Sequence, residues 1–206
     1  LNTDSVLDRW EAFSIQTVTS GSNTIIVVMG SNRRGTAYGI LELSRMIGIS
    51  PWVWWADVHP TKKSELSLEI SKPIYQQPSV QYRAIFLNDE DWGLKPWASK
   101  TIEPETGEIG PKTYGKIFEL LLRLRANTIW PAMHECTTPF YFVKGNAAMA
   151  DSFGIIVSTS HCEPLMRSNP LEWDRKTRDD YNFFSNKKSV VEYRNERLTE
   201  TSNYEN

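Results

Sequence analysis

Apolar runs along the chain are separated by polar and glycine-rich breaks, and their spacing predicts two regions. Thr24 to Met29 (TIIVVM) is a short β-branched run bounded by Gly21 and Gly30, as expected of a buried strand. From Gly35 to Ile47 the apolar residues recur at helical spacing, and Gly48 is placed to stop that helix. Trp52–Trp55 and Glu65–Ile70 read as strands on either side of a polar loop. Residues 1 to 75 are therefore expected to form a small α/β domain. The segment Lys72-Pro73-Ile74-Tyr75-Gln76-Gln77-Pro78, two prolines bracketing polar residues, reads as a linker after it.

From Val80 onward the pattern changes to strand, long loop, helix, strand, helix, strand, helix. The segments are Gln81–Leu87, Lys112–Ala126, Thr128–Met133, Asn146–Phe153, Ile155–Ser160 and Lys187–Glu200. Such alternation predicts parallel βα units, and Ile155-Ile156-Val157 has the apolar, β-branched character of a strand covered on both faces. The loop from Asn88 to Pro111 is too long for a mere connection, and loops of that length without structure of their own are usually functional. In a βα barrel the chemistry sits where strands end. The residues after the three strands are polar: Asn88-Asp89-Glu90-Asp91-Trp92-Gly93, His134-Glu135-Cys136 and His161-Cys162-Glu163-Pro164. All three clusters are expected on one rim. The helical charges Glu119, Arg123, Arg125, Glu192, Arg194, Glu196 and Arg197 read as solvated stripes.

Composition narrows the partners. Among 206 residues, 23 Lys and Arg oppose 25 Asp and Glu, a formal charge of -2 that gives no basic footprint for nucleic acid or an anionic membrane surface. No run approaches the ~18 apolar residues of a membrane-spanning helix. Eight Trp, eight Tyr and eight Phe make up 12% of the chain, and several Trp sit beside polar residues, which suits carbohydrate or another flat ligand as well as it suits a core. Two cysteines, Cys136 and Cys162, are too few for a disulfide-built scaffold and are expected as buried free thiols. The stretch Gly30-Ser31-Asn32-Arg33-Arg34-Gly35 lacks the Lys-Ser/Thr ending of a phosphate loop.

Three stretches carry a family likeness. Gly30-Ser31-Asn32-Arg33-Arg34-Gly35-Thr36-Ala37-Tyr38-Gly39, continuing to Ser50-Pro51-Trp52-Val53-Trp54-Trp55-Ala56-Asp57-Val58, resembles glycoside hydrolase family 115, the xylan α-1,2-glucuronidases. Tyr82 to Leu94 (YRAIFLNDEDWGL) resembles the first barrel strand of that family, and Trp130–Cys136 and His161–Pro164 resemble the next two. The resemblance implies an inverting enzyme that removes glucuronic acid or 4-O-methylglucuronic acid from xylan or acidic xylooligosaccharides. It implies no cofactor, no catalytic metal, secretion or a periplasmic location, and a homodimer of the full-length protein. It also implies a small N-terminal α/β domain over residues 1–75, followed over residues 80–206 by the first three βα units of a (β/α)8 TIM-type barrel. A whole barrel takes ~250 residues, about twice the length of the segment from Val80 to Asn206, so the chain is expected to be a fragment.

Inverting hydrolysis needs one protonated carboxylic acid at the leaving oxygen and one carboxylate that activates water, about 6.5–9.5 Å apart. Asp89, Glu90 and Asp91 are the catalytic candidates, and three adjacent acids are expected to raise at least one pKa by repulsion. The substrate-binding candidates are Asn88, Trp92, Trp130, His134, Glu135, His161, Glu163 and Arg167. The histidines suit hydroxyl or carboxylate contacts, the tryptophans a stacking wall, and an arginine a bidentate grip on the uronate, with Arg83 and Arg33 also available. Two other readings compete. One is a metal-dependent hydrolase built on His134/Cys136 and His161/Cys162, which carry zinc-ligand types; the other is a carbohydrate-binding fragment without catalysis.

Overall fold

The computed structural model describes residues 2–88, 90–161 and 163–202. The chain divides into two compact units, Leu1–Arg83 with Glu119–Asn127, and Ala84–Phe118 with Thr128–Asn206. No described helix is long and apolar enough to cross a membrane.

The first unit is built on a hairpin. Strands β1 (Phe13–Ser20) and β2 (Asn23–Gly30) pair antiparallel over their whole length, from Phe13↔Gly30 to Ser20↔Asn23. The two-residue turn opens with Gly21 at φ 62, a left-handed backbone that suits glycine at that position. Helix α1 (Arg33–Met46) comes next, and the Asn32 side chain caps it by accepting the Gly35 N–H at 2.9 Å. Gly35 and Gly39, one turn apart, face the strands. A Cβ on Gly35 would stand 2.3 Å from the Ala12 carbonyl oxygen, and one on Gly39 2.5 Å from Val28 Cγ1. Their spacing thus records how closely helix and sheet approach. The helix ends as expected, with Gly48 at φ 99 and its N–H on the Arg45 carbonyl at 2.9 Å.

Several expectations need correction here. Strand β3 (Ile74–Gln76) pairs antiparallel with β1, so the middle of the proline-bracketed segment 72–78 is an edge strand and the segment is not a linker; edges are where flanking prolines cost no ladder bonds. Strand β1, absent from the elements that the apolar pattern predicts, is the centre of the first sheet, whose order is β2-β1-β3. Trp52–Trp55 and Glu65–Ile70 are not strands. After Pro51 the chain makes successive turns, with Trp55 N–H on the Trp52 carbonyl at 2.8 Å and left-handed Ala56 and Asp57. Residues 65–67 are exposed and have no sheet face to bury.

The second unit carries a parallel sheet of order β4-β5-β6, formed by Ala84–Phe86, Thr128–Trp130 and Ile156–Val157. The register is Ala84↔Thr128 through Phe86↔Trp130, and Thr128↔Ile156. The strands are shorter than the apolar runs that predict them, though Leu87 N–H on the Trp130 carbonyl (3.0 Å) and Ser158 N–H on the Ile129 carbonyl (2.9 Å) extend the bonding. The alternation of strand and helix follows the expected parallel βα pattern within a three-stranded sheet. Between β4 and β5 lies helix α3 (Pro111–Arg123), preceded in the loop by the single turn α2 (Lys95–Trp97). Between β5 and β6 lies α4 (Asn146–Phe153). Helix α3 buries Tyr114, Ile117, Phe118, Leu121 and Leu122, a stripe at i, i+3, i+4, i+7 and i+8.

The long loop after β4 has structure of its own. Wide π-type turns at Glu90–Leu94 and Ala98–Ile102 flank α2. The buried Glu103 then accepts hydrogen bonds from Gly110 N–H (2.9 Å), Lys112 N–H (3.0 Å), Thr113 N–H (2.9 Å) and the Thr113 hydroxyl (2.6 Å), tying the loop's end to the start of α3. Beyond β6 come the short helices α5 (Asn169–Glu172) and α6 (Arg175–Arg178) and the longer α7 (Lys187–Thr201). There the stripe expected to be solvated is partly interior: Arg197 is 3% exposed, pairs with Glu172 and Glu200, and lies over the Tyr141 ring.

Candidate functional site

Parallel strands place their C-terminal ends together, so the segments after β4, β5 and β6 leave one edge of the second unit's sheet. Asn88 and the Glu90–Leu94 turn come after β4; His134, Glu135 and Cys136 come after β5; His161 and Glu163 come after β6. Asp89 and Cys162, and the side chain of Glu90, lie outside the described residues.

A direct contact joins two of these segments. Asp91 Oδ2 lies 3.2 Å from His134 Nδ1, both side chains being accessible to solvent. His134 opens a turn closed by Thr137 N–H on the His134 carbonyl at 2.9 Å, which also presents Cys136. The Cys136 thiol lies 3.3 Å from the Thr137 hydroxyl oxygen. Hydrogen bonds from Cys136 and His134 hold the Asp91 carboxyl below its usual range, against a smaller opposing effect of burial. Repulsion among the acids therefore does not govern Asp91, because two donors face it. The Cys136 thiol is pushed up, by burial first and by the Asp91 carboxylate second. Cys136 is exposed, contrary to the expectation of a buried thiol, on the turn that His134 opens.

The aromatic candidates also sit at this edge. Trp92 is 86% exposed on the turn that carries Asp91. Trp130 is partly exposed at the end of β5, edge-on to Phe86 with ring centroids 5.7 Å apart. Asn88, Glu135 and His161 are exposed, and Glu163 is half-buried with its N–H on the Ser160 carbonyl at 3.3 Å.

Two of the arginines, Arg167 and Arg83, are engaged elsewhere. Arg167 is buried, with its two terminal nitrogens 2.9 Å from Glu172 and Glu196 and its guanidinium 4.2 Å from the Tyr193 ring centroid. Arg83, in the first unit, donates to the fully buried Glu11, to the Tyr38 hydroxyl at 3.0 Å and to the carbonyls of Val80 and Gln81. Arg34, and Asn127 at 3.1 and 3.2 Å, complete the shell around Glu11. Burial pushes the Glu11 carboxyl up, but the bonds from Arg83, Asn127 and Arg34 outweigh it and hold the group below its ordinary value. Arg33 is exposed at the start of α1.

Residues beyond the candidate set also belong to this edge. Lys95, four positions after Asp91, pairs with Glu108, and its charge acts on both Asp91 and Cys136. Glu108 in turn accepts the Thr138 N–H at 3.3 Å, beside the His134 turn. Helical spacing from Asp91 to Lys95 is the one sequence signal that points to that lysine. Among the described residues no group of three or more His, Cys, Asp or Glu side chains is arranged so that it could hold a metal ion.

The chain is similar over 100% of its length to the solved structure of BtGH115A, described as a novel family GH115 4-O-methyl-α-glucuronidase with specificity for decorated arabinogalactans. The identity is 45% and the TM-score 0.88, and the chain spans 27% of that protein's length. No curated protein matches. The family model for Glycosyl hydrolase family 115 matches residues 75–206, the part that holds the parallel sheet and its polar edge, and the chain belongs to that family.

Proposed function

We propose that the protein is an α-glucuronidase that removes glucuronic acid or 4-O-methylglucuronic acid from the branches of a polysaccharide, with inversion at the anomeric carbon. The observation that carries this reading is the 45% identity to BtGH115A across the whole chain, together with family membership. Xylan and decorated arabinogalactan are the two substrate classes in view, the first from the sequence resemblance and the second from what BtGH115A acts on. The polar edge of the parallel sheet, as the opening part of a (β/α)8 barrel, supplies one side of the sugar site.

In this reading Asp91 works as a carboxylate. Its depressed pKa suits activation of water or stabilisation of positive charge at the anomeric carbon, and does not suit proton donation. Asp89 and Glu90 are the adjacent candidates for the same site. His134 orients Asp91 through the 3.2 Å contact. Asn88, Glu135, His161 and Glu163 meet sugar hydroxyls, and Trp92 and Trp130 offer ring faces to the pyranose. Lys95 places a positive charge at this edge for the uronate, while Arg167, tied to two carboxylates, holds the segment after β6.

The test is to incubate the full-length protein with glucuronosyl-xylooligosaccharides and with glucuronosyl-decorated arabinogalactan fragments, measuring free uronic acid. Release from at least one supports the reading. Binding of both without release favours the carbohydrate-binding alternative and overturns it.

A further inference from the structure

We propose that a cleft in the first unit binds a small carboxylate of the sugar-acid class through Arg125. The cleft, about 340 Å³, lies where residues 76–80, at the end of β3 and beyond it, meet Phe13 of β1 and the turn that follows α3. That volume is at the small end of the ~300–1,000 Å³ range of ligand pockets, so it suits a single ring and not a chain. Its lining residues all belong to the first unit, and the site stands without the glucuronidase reading.

Charge selects an anion. Arg34 and Arg83 pair with Glu11, and Arg45 and Arg125 pair with Glu42. Four guanidinium groups against two carboxylates leave two positive charges uncompensated within these pairs. Arg83 is fully committed: Nε donates to the Arg125 carbonyl, Nη1 to the carbonyls of Val80 and Gln81, and Nη2 to Glu11 and the Tyr38 hydroxyl. Arg125 is not. Its Nη2 meets Glu42 at 2.6 Å, whereas Nε and Nη1 have no hydrogen-bond partner among the described residues, and the side chain is 37% exposed. Those donors suit a carboxylate. The backbone singles out the same residue. Arg125 N–H bonds the Leu122 carbonyl at 3.0 Å and Ala126 N–H the Leu121 carbonyl at 2.8 Å, a helix ending in which the position of Arg125 is usually glycine. Arg125 has φ 61 there, a strained backbone for a residue with a Cβ. The pair with Glu42 does not require it, because Arg45 already reaches both Glu42 oxygens, at 2.9 and 2.6 Å. The Phe13 ring fixes the guanidinium from 5.3 Å, the Gln76 and Gln77 amides suit sugar hydroxyls, and the exposed Val80 and Leu124 offer apolar surface to the C–H face of a ring.

The experiment is equilibrium dialysis of the full-length protein against labelled glucuronate. The expected result is one bound equivalent that Asp91→Asn keeps and that Arg125→Gly binds at least ~10-fold more weakly, the scale of a lost charge-assisted hydrogen bond. Equimolar unlabelled glucose, a neutral ring of similar size, should not displace it. Arg125→Gly relieves the positive-φ strain and leaves Glu42 paired with Arg45, so it is expected to fold, which matching unfolding midpoints check. Ser79→Trp, placed at an exposed position that lines the cleft, fills it and should remove the same equivalent whatever the fate of the first variant. Retention of this equivalent with no release of uronic acid from oligosaccharides would overturn the glucuronidase reading alone. No binding in the wild type, wild-type binding in Arg125→Gly or Ser79→Trp, loss of the equivalent in Asp91→Asn, or displacement by glucose would overturn the proposal.

Discussion

Asp91 and Glu11 are two carboxylates held below their usual pKa for different ends. Asp91 faces solvent and receives its hydrogen bonds from a thiol and an imidazole, so it is charged, oriented and accessible. In the full-length enzyme, Asp91→Asn is expected to lower kcat/KM on a glucuronosyl-oligosaccharide by at least ~100-fold, the scale of positioned acid–base groups. Near-wild-type turnover in a folded variant would make the contact with His134 structural. Glu11 is 0% exposed and serves stability. Its folded pKa lies below the ordinary 4.5, so its contribution is complete above that pH and is lost as pH falls through the lower folded value. Glu11→Gln should cost ~3–5 kcal/mol at neutral pH, the scale for removing one partner of a buried pair. It should also flatten the acid limb of the stability profile. Urea unfolding from pH 7 to pH 2 measures both effects, and an unchanged acid limb would contradict the assignment.

At the scale of elements, the sequence is most legible where one periodicity dominates. The stripe on α3 and the glycine stop after α1 are readable because each depends on neighbours within a turn or two. The strands after Val80 are readable in type, since short β-branched runs alternate with helical ones, but their ends are trimmed by pairing partners more than forty residues away in β4 and β5. Trp52–Trp55 misleads because aromatic content suggests a strand while Pro51 and the left-handed residues after it make turns. The polar edge is legible residue by residue, strand end by strand end. The bond that joins Asp91 to His134, and the Lys95–Glu108 pair, link residues 43 and 13 apart and carry no local signal. Gly35 and Gly39 read as part of a family motif, and the structure gives their cause in the close approach of α1 to β1 and β2. Gly39→Ala is therefore expected to destabilise by ~1–3 kcal/mol through overpacking. Gly93→Ala, whose Cβ meets nothing within 4 Å, should change stability by less than ~1 kcal/mol. Equal effects in thermal unfolding would contradict the packing argument.

For the whole molecule, one unit is organised by an antiparallel sheet and a buried carboxylate, the other by a parallel sheet with a polar edge. Most of the candidate site residues lie in the second unit, within the stretch that the family model matches. The chain spans 27% of BtGH115A, so the account of function concerns the full-length protein. Its central claim is hydrolysis of an α-linked glucuronosyl branch with inversion. Proton NMR of the full-length protein acting on a glucuronosyl-xylooligosaccharide or an arabinogalactan fragment tests this most directly, because the anomeric signals of the first product appear before mutarotation mixes them. The account predicts that free glucuronic acid or its 4-O-methyl ether appears first as the β-anomer. First appearance of the α-anomer, or no release of uronic acid from either substrate, would contradict it.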